Sequence, residues 1–592
     1  MSESITFENI FETKDELADD ISNFWTSHKS KRLTWENRIK ETVQYVYATS
    51  TRETTNIQND HSHSTHIPMM TMIKDNLDAN YLLNTIPNDN WFQFIGEDQS
   101  SVIKNKRDTI ESYLKTKHRI NKFRNIIAEL INDWTLYGNC FARVDYIRET
   151  HTDPLTGDIV QGYVGPRVQR ISPYDIVFDV SSRSFKESPK VIRSIKRLGD
   201  LAREAEENGD NAAFQDILDK ATSVRNLAKS LSLEEFNKLC QYQFDGFSNP
   251  QDFFNTDYVE ILEFYGDIYD KATNTFYKNH AITILDRTWV VKAEPLDTWS
   301  GRPNIFHCAW RQRPDNLMGM GPLDNLVGMQ YYVNHVENAV ADGLDQVLSP
   351  DRVIVGDVYI DYGDNGEVEY KIPDGQGTVS NLLPDLSFLN ADFRLQNKLS
   401  QMELFAGAPR EAMGIRTPGE KTATEFNGLM NASSRMFQNK ITFFEEQFLE
   451  DILNAELETA VRNLDASDII KITDDETNLQ EFMTITRDDL LANGKLTPIG
   501  ARHFAEQDRL NQGLQLINQS FDPEMREHIS SIELSRAITE ALGVSNIVKV
   551  QPNVRAQERL DMEREARAAQ DQLAIEDQQF VDTEGNVAEF IV

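Results

Sequence analysis

The chain has 592 residues, 40% of them hydrophobic and 26% charged, so it is globular in composition and too long for one simple core; two to four structural units are expected. Its net charge of −35 excludes a cation-coated nucleic-acid binder, because phosphate affinity comes from clustered Lys and Arg, yet it lets DNA pass without sticking. Cys140, Cys240 and Cys308 stand far apart with no CxxC pair, which argues against a disulfide framework or zinc ribbon and for a reducing compartment.

The first twenty residues, MSESITFENIFETKDELADD, are acidic and lack an apolar signal core, and no apolar run reaches the ~18 residues of a membrane span. Residues 1–50 contain neither Pro nor Gly and read as helix, with Trp35, Ile39, Val43 and Val46 near one face. The polar connector NDHSHSTHIP (59–68) carries His61, His63 and His66. That spacing could hold a metal, but no acid or cysteine set accompanies it, so no metal site is assigned. Residues 70–83 and 104–137 read as helices. Gly138 ends the second, and Phe141, Val144, Tyr146 and Ile147 in YGNCFARVDYIRE suggest a strand. β-like pieces continue through ISPYDIVFD (171–179). A polar helical excursion, 198–246, then interrupts them as an insertion, and the β texture returns from 258 in YVEILEFYGDIYD, TFYKNHAITILD and TWVVKAEP. The fold class is therefore α+β.

Between Pro322 and Pro350 apolar residues recur at steps of three or four: Leu323, Leu326, Met329, Val333, Val336, Val340, Leu344 and Val347. The spacing predicts a helix over 323–349, roughly 40 Å long. Strand-like DRVIVGDVYIDYGDNGEVEYKIP follows, with DYGDNGE as its turn, and ADFRLQNKLSQMELFAG reads as a second, shorter helix (391–406) ending at Gly407. A loop leads to TATE (422–425), a capping box that opens a very long helical pattern to about Leu464. Strand-like IIKIT and further helices fill 467–550, and a charged helix lies near the end.

GIRTPGEKT (414–422) almost spells a P-loop, G-x-x-x-x-G-K-[ST]. Context argues against it: a Walker loop follows a buried apolar strand, whereas this one follows a helix and a proline-broken loop, and Glu420 would set a carboxylate beside the phosphates. GMGPLD (319–324) echoes GxGxxG without a βαβ unit around it. The acidic doublets Asp474–Asp475 and Asp488–Asp489 read as solvated surface. There is no GxSxG and no Cys/His pairing that makes a nucleophile. No catalytic residue, metal or cofactor is assigned, and the chain is not expected to be an enzyme.

The order of elements is an α+β body, a long helix, a small β-rich excursion, a second helix, a Gly/Pro/Arg loop, a very long helix and a helical tail. In that order, and in YGNCFARVDY (137–146), ISPYDIVFD (171–179), CAWRQRPDNLMGMGPLDNLVGMQYYVNHVENAVADGLDQVLSP (308–350) and GAPREAMGIRTPGEKTATEFNGLMNASSRMF (407–437), the chain resembles a tailed-bacteriophage portal protein, the head-to-tail connector of the podovirus type. The resemblance covers most of 30–460. It implies a ring, usually of twelve subunits, at one capsid vertex of the virion, assembled in the host cytoplasm. Through its channel a terminase motor packs double-stranded DNA, which is retained and later ejected. Residues 1–320 would form a wing with 422–500. Residues 323–349 and 391–406 would be stem helices, 351–390 the clip that docks terminase and then tail adaptor or neck proteins, 407–421 a tunnel loop, and 501–592 a helical crown and tail. Major capsid and scaffolding proteins are further implied partners, and no membrane is. The loop would bend at Gly407, Gly414 and Gly419, be stiffened by Pro409 and Pro418, and present Arg410, Arg416 and Lys421 to DNA. Val333, Val336, Val340 and Leu344 would pack the stem. The alternatives are a non-channel neck or tail structural protein and a packaging ATPase or nuclease subunit. The latter would need a true Walker loop or a clustered acid site.

Overall fold

The computed structural model describes residues 14–47, 63, 65–87, 91–96, 101–152, 159–197, 199–200, 202–203, 258–270, 274–296, 298–362, 368–372, 377–382, 391–406, 438–464, 468–473, 480–492 and 494–499. The chain divides into two units, and the first, Met1–Ile472 with Gln480–Ala501, holds the described residues apart from Thr473.

The N-terminal helix splits in two, α1 (Lys14–Lys31) and α2 (Leu33–Tyr47). The break falls at Arg32, whose guanidinium leaves the helical course to donate to the main-chain oxygens of Pro173 and Ile176. α3 (Met69–Thr85), β1 (Phe92–Gly96), α4 (Ser101–Asn121) and α5 (Phe123–Leu136) follow. The helical stretch read from sequence over 104–137 is thus two helices, turned at Lys122 in the left-handed region (φ 52).

β2 (Asn139–Thr152) is the middle strand of a three-stranded sheet with β3 (Ile159–Ile171) and, further along the chain, β9 (Ile305–Ala309). A five-stranded meander runs in chain order through β4 (Ile176–Phe178), β5 (Lys190–Arg197), β6 (Tyr258–Asp270), β7 (Thr275–Leu285) and β8 (Trp289–Pro295). Every pairing whose register is described is antiparallel, so the class is α+β. α1 lies on the meander because Leu17, Ala18, Ile21 and Trp25 fall on one helical face and bury against Val191, Leu262 and Ile282. The largest core gathers α2, α3, α4 and α5 around Trp134 and Phe444.

β10 (Arg311–Arg313) and β11 (Asn316–Met320) form a hairpin that delivers the chain to the long helix α6 (Val327–Leu348). Here GMGPLD meets Gly138. Gly138 stands at φ +70, and a Cβ there would come within 2.3 Å of the Gly321 amide nitrogen. GMGPLD is therefore a close backbone approach to the start of β2. The helix begins at Val327, four residues after the expected Leu323, because Leu323–Leu326 forms a turn whose Leu326 amide bonds the Leu323 carbonyl.

Beyond α6 stand two small ribbons. β12 (Asp351–Val355) pairs with β15 (Thr378–Leu382), and β13 (Tyr359–Tyr362) pairs with β14 (Val368–Lys371) between them. The chain returns along α7 (Ala391–Ala406), which buries Met402 and packs Leu395 and Leu399 against the main core. A helix resumes by 438, takes a π turn at Glu445–Leu449, and continues as α8 (Glu450–Asn463). β16 (Asp468–Thr473) pairs with β17 (Gln480–Ile485), a short α9 (Arg487–Leu490) follows, and β18 (Gly494–Pro498) closes on β1.

Cys140 and Cys308, distant in sequence, are register partners on β2 and β9. Both are buried free thiols. They stay unpaired by a disulfide although β9 returns 160-odd residues later to the same sheet edge, and the pair serves as small apolar core.

Candidate functional site

The most unusual element is α6, a helix of 22 residues and about 33 Å. Four polar side chains on one side, Gln330, Asn334, Asn338 and Asp342, recur every four residues, and the first three are buried. Each grips the extended connector that precedes α3. Gln330 accepts from the Met70 amide (3.2 Å) and donates to the Ile67 carbonyl (2.6 Å) and to Asn334 Oδ1 (2.9 Å). Asn334 accepts from the Ile67 amide (3.2 Å), and its Nδ2 lies 2.9 Å from His66 Nδ1. Asn338 holds both main-chain groups of Thr65, at 2.7 and 3.2 Å. Asp342 accepts from the His63 amide (3.1 Å) and sits 2.8 Å from His63 Nδ1, while His63 Nε2 lies 3.3 Å from Asp345.

The match is metrical. Four residues of helix rise about 6.0 Å and two of extended chain about 6.6 Å, so alternate connector residues meet successive turns. The side-chain amides thereby act as a substitute strand edge. His63 and His66 of HSHSTH serve this contact, while His61 lies outside the described residues: the hydrogen bond to Asp342, with the Asp345 charge, raises the His63 pKa, and burial lowers that of His66. No cluster of metal-ligating residues occurs among the described residues.

The other side of α6 is apolar, and the single chain covers only part of it. Val333 is fully buried, Val336 and Val340 are half-buried, and Leu344 and Leu348 are exposed, the last at 80%. Exposure continues into the ribbons. Val353, Ile354 and Val355 are consecutive and all exposed, so both faces of β12 are open. All four residues of β13 are exposed, with Tyr359 and Tyr362 near 70%. Of 23 exposed large hydrophobic residues among those described, 12 lie between Tyr331 and Phe405, so the uncovered apolar surface concentrates on α6, the ribbons and α7. A two-stranded ribbon open on both faces is marginal alone, and a contiguous apolar patch marks an interaction surface.

The loop residues Gly407, Pro409, Arg410, Gly414, Arg416, Pro418, Gly419 and Lys421 all fall outside the described residues, as do nearly all of the 198–246 insertion, 422–437 and 501–592. The doublet Asp488–Asp489 is partly structural. Asp489 closes a capping box with Thr486 at the start of α9, and the hydrogen bonds from Thr486 hold its carboxyl below the usual range. Asp474 and Asp475 lie outside the described residues. No described helix is long and apolar enough to cross a membrane.

The polar spine was missed from sequence because a four-residue polar period normally marks a solvated helix face. Its signal was the residue types: three uncharged amides in a row, where a solvated face of so acidic a chain would carry Glu and Lys. Compared with protein-family models the chain matches none, and comparison with curated proteins finds no significant relative.

Proposed function

We propose that the protein is a viral portal: a ring-shaped channel at one capsid vertex through which double-stranded DNA is packaged, retained and ejected. One observation carries the reading. A helix pair, α6 and α7, brackets two β-ribbons whose apolar side chains stand in water in the single chain. In the proposed ring α6 and α7 are the stem and 351–390 the clip, and the same patch on each subunit is covered by its neighbour. A closed ring is the ordinary outcome of such a head-to-tail contact. The acidic total suits a wall that does not brake sliding DNA. On this reading terminase and tail adaptors dock on the clip, and the protein itself carries no catalysis.

The test is native mass measurement and negative-stain imaging of the purified chain, alone and as Leu344→Asp/Leu348→Asp. Both positions are exposed in one chain, so the variant keeps the parental fold by circular dichroism. The parent forms rings with a central channel, whereas the variant remains monomeric, since each contact would bury an unpaired carboxylate. Rings without a channel would favour a neck or tail structural protein. A variant that assembles normally would place this face outside the contact and defeat the proposal.

A further inference from the structure

The body carries a second feature, independent of the ring reading. Between β1 and the α4–α5 junction lies a cavity of about 230 Å³. Its inner wall is aromatic: Trp91, Phe92 and Phe123 are each at least 96% buried, and Trp91 stacks on Phe123 at 5.5 Å. Its rim is cationic, formed by Arg119, Lys122 and Arg124, all exposed. The segment 115–124, KTKHRINKFR, holds five Lys and Arg and no acid, in a chain of net charge −35. Of these cations Lys117 lies 2.6 Å from Asp468, Lys115 lies 3.7 Å from Glu111, and Arg119 has a contact of its own. Lys122 and Arg124 have no acidic partner among the described residues.

His118 also lines the cavity. It is 93% buried; its Nε2 is 2.8 Å from Glu456, while its Nδ1 has no partner among the described residues. A buried polar atom left unmatched is costly unless something completes it.

We infer that this pocket is a docking site for an acidic peptide of a partner protein, with one apolar or aromatic anchor side chain entering the cavity and flanking Asp or Glu residues meeting the rim. The volume suits one large side chain and is small for a nucleoside. The rings lie almost wholly buried and stack on one another, so they offer no open face on which a base would sit, as single-stranded nucleic acid requires. The rim instead presents separate cations at the mouth of an apolar hole, the complement of an anchor flanked by carboxylates. The start of α5 adds its positive end to the same field.

The experiment is fluorescence anisotropy on the full chain with a fluorescein-labelled acidic hexapeptide, in three forms with a central Phe, Leu or Trp. Controls are the same peptide with Ser at the centre, a Lys-rich peptide with Phe, and a labelled oligothymidine of equal charge. At least one anchored acidic peptide binds saturably and more tightly than every control. Arg119→Glu/Lys122→Glu/Arg124→Glu, three changes at exposed positions, weakens it about tenfold, and so does salt raised well past physiological strength. Lys122→Gly, which removes one rim cation without adding an acid, weakens it less. Failure of all three anchored peptides to bind overturns the proposal, as does binding untouched by the triple variant. Tighter binding of the oligonucleotide, abolished in the same variant, would replace it with a nucleic-acid site.

Discussion

Gln330→Met tests whether the polar spine holds the connector to α6. Methionine is close to glutamine in length and volume, though its end is not forked, so the change chiefly removes hydrogen bonds. Gln330 is fully buried and makes three of them. The Ile67 carbonyl keeps a donor in the Met69 amide (2.7 Å), and Asn334 Oδ1 keeps the Ile67 amide. The Met70 amide is different. It lies in the first turn of α3, where no carbonyl four residues back can serve it, and its bond to Gln330 is the one described. One buried donor is orphaned, which costs about 1–3 kcal/mol. The control is Gln346→Met, the same exchange at an exposed position of the same helix, expected within about 0.5 kcal/mol of the parent. Urea unfolding measures the loss, and hydrogen exchange on the 63–72 peptide locates it. A Gln330→Met chain as stable as the control, with parental exchange at Met70, would refute the spine as the holding element.

The His63 pair makes the same interaction pH-dependent. Its pKa is raised above the ordinary 6.5 by Asp342, so the stabilisation is full below that value and fades as pH rises through the raised pKa. Exchange protection of residues 63–67, corrected for intrinsic rate, therefore falls from pH 6 to pH 8.5, and His63→Ala removes that trend. Lys122→Gly relieves a left-handed lysine, a gain of about 1–2 kcal/mol less about 0.5–1 for added unfolded-chain freedom, and raises the urea midpoint. Gly138→Ala drives a Cβ onto the Gly321 backbone at positive φ and should prevent recovery of folded protein, while Gly328→Ala, in α6 with open space around it, gains about 1 kcal/mol in the single chain. If the tunnel-loop assignment holds, Arg410→Ala/Arg416→Ala/Lys421→Ala flattens the salt dependence of DNA binding, by about 0.9 in log–log slope for each phosphate no longer neutralised, with rings intact. An unchanged slope would count against it.

Local signals in the sequence were legible where one force dominates. α7 spans the expected 391–406, and α3, with helix resuming over 438–464, follows the apolar periodicity. Strands β12, β13 and β14 fall within the strand-like runs DRVIVGDVYIDY and EVEYK. What could not be read is long-range placement. Nothing local to Gly138 announces Gly321, and nothing near Cys140 announces Cys308, because closure across so long a stretch of chain is set by the sheet as a whole. Lys122 breaks a helix without Gly or Pro. There the packing of Phe123 against Trp91 and His118 overrides propensity.

α6 itself inverts the ordinary rule of burial. Gln330, Asn334 and Asn338 are inside the chain, and Leu344 and Leu348 are outside. Such an arrangement is stable only if each side has a partner suited to it. The amides have theirs in the extended connector, which consumes their hydrogen bonds and fixes the helix against rotation about its axis. That fixed rotation determines where the apolar side points. Leu344 and Leu348 are therefore held at the end of α6, just before the exposed β12 triplet. A second copy presenting a complementary surface would remove this apolar area from water at about 25 cal/mol for each Å² buried. The spine would then do more than hold a connector: by fixing α6, it would set the angle at which successive subunits meet. Weakening it through Gln330 or His63 should broaden the distribution of ring sizes before it dissociates the rings, and mass measurement of the assembled protein at pH 6 and pH 8.5 would show whether it does.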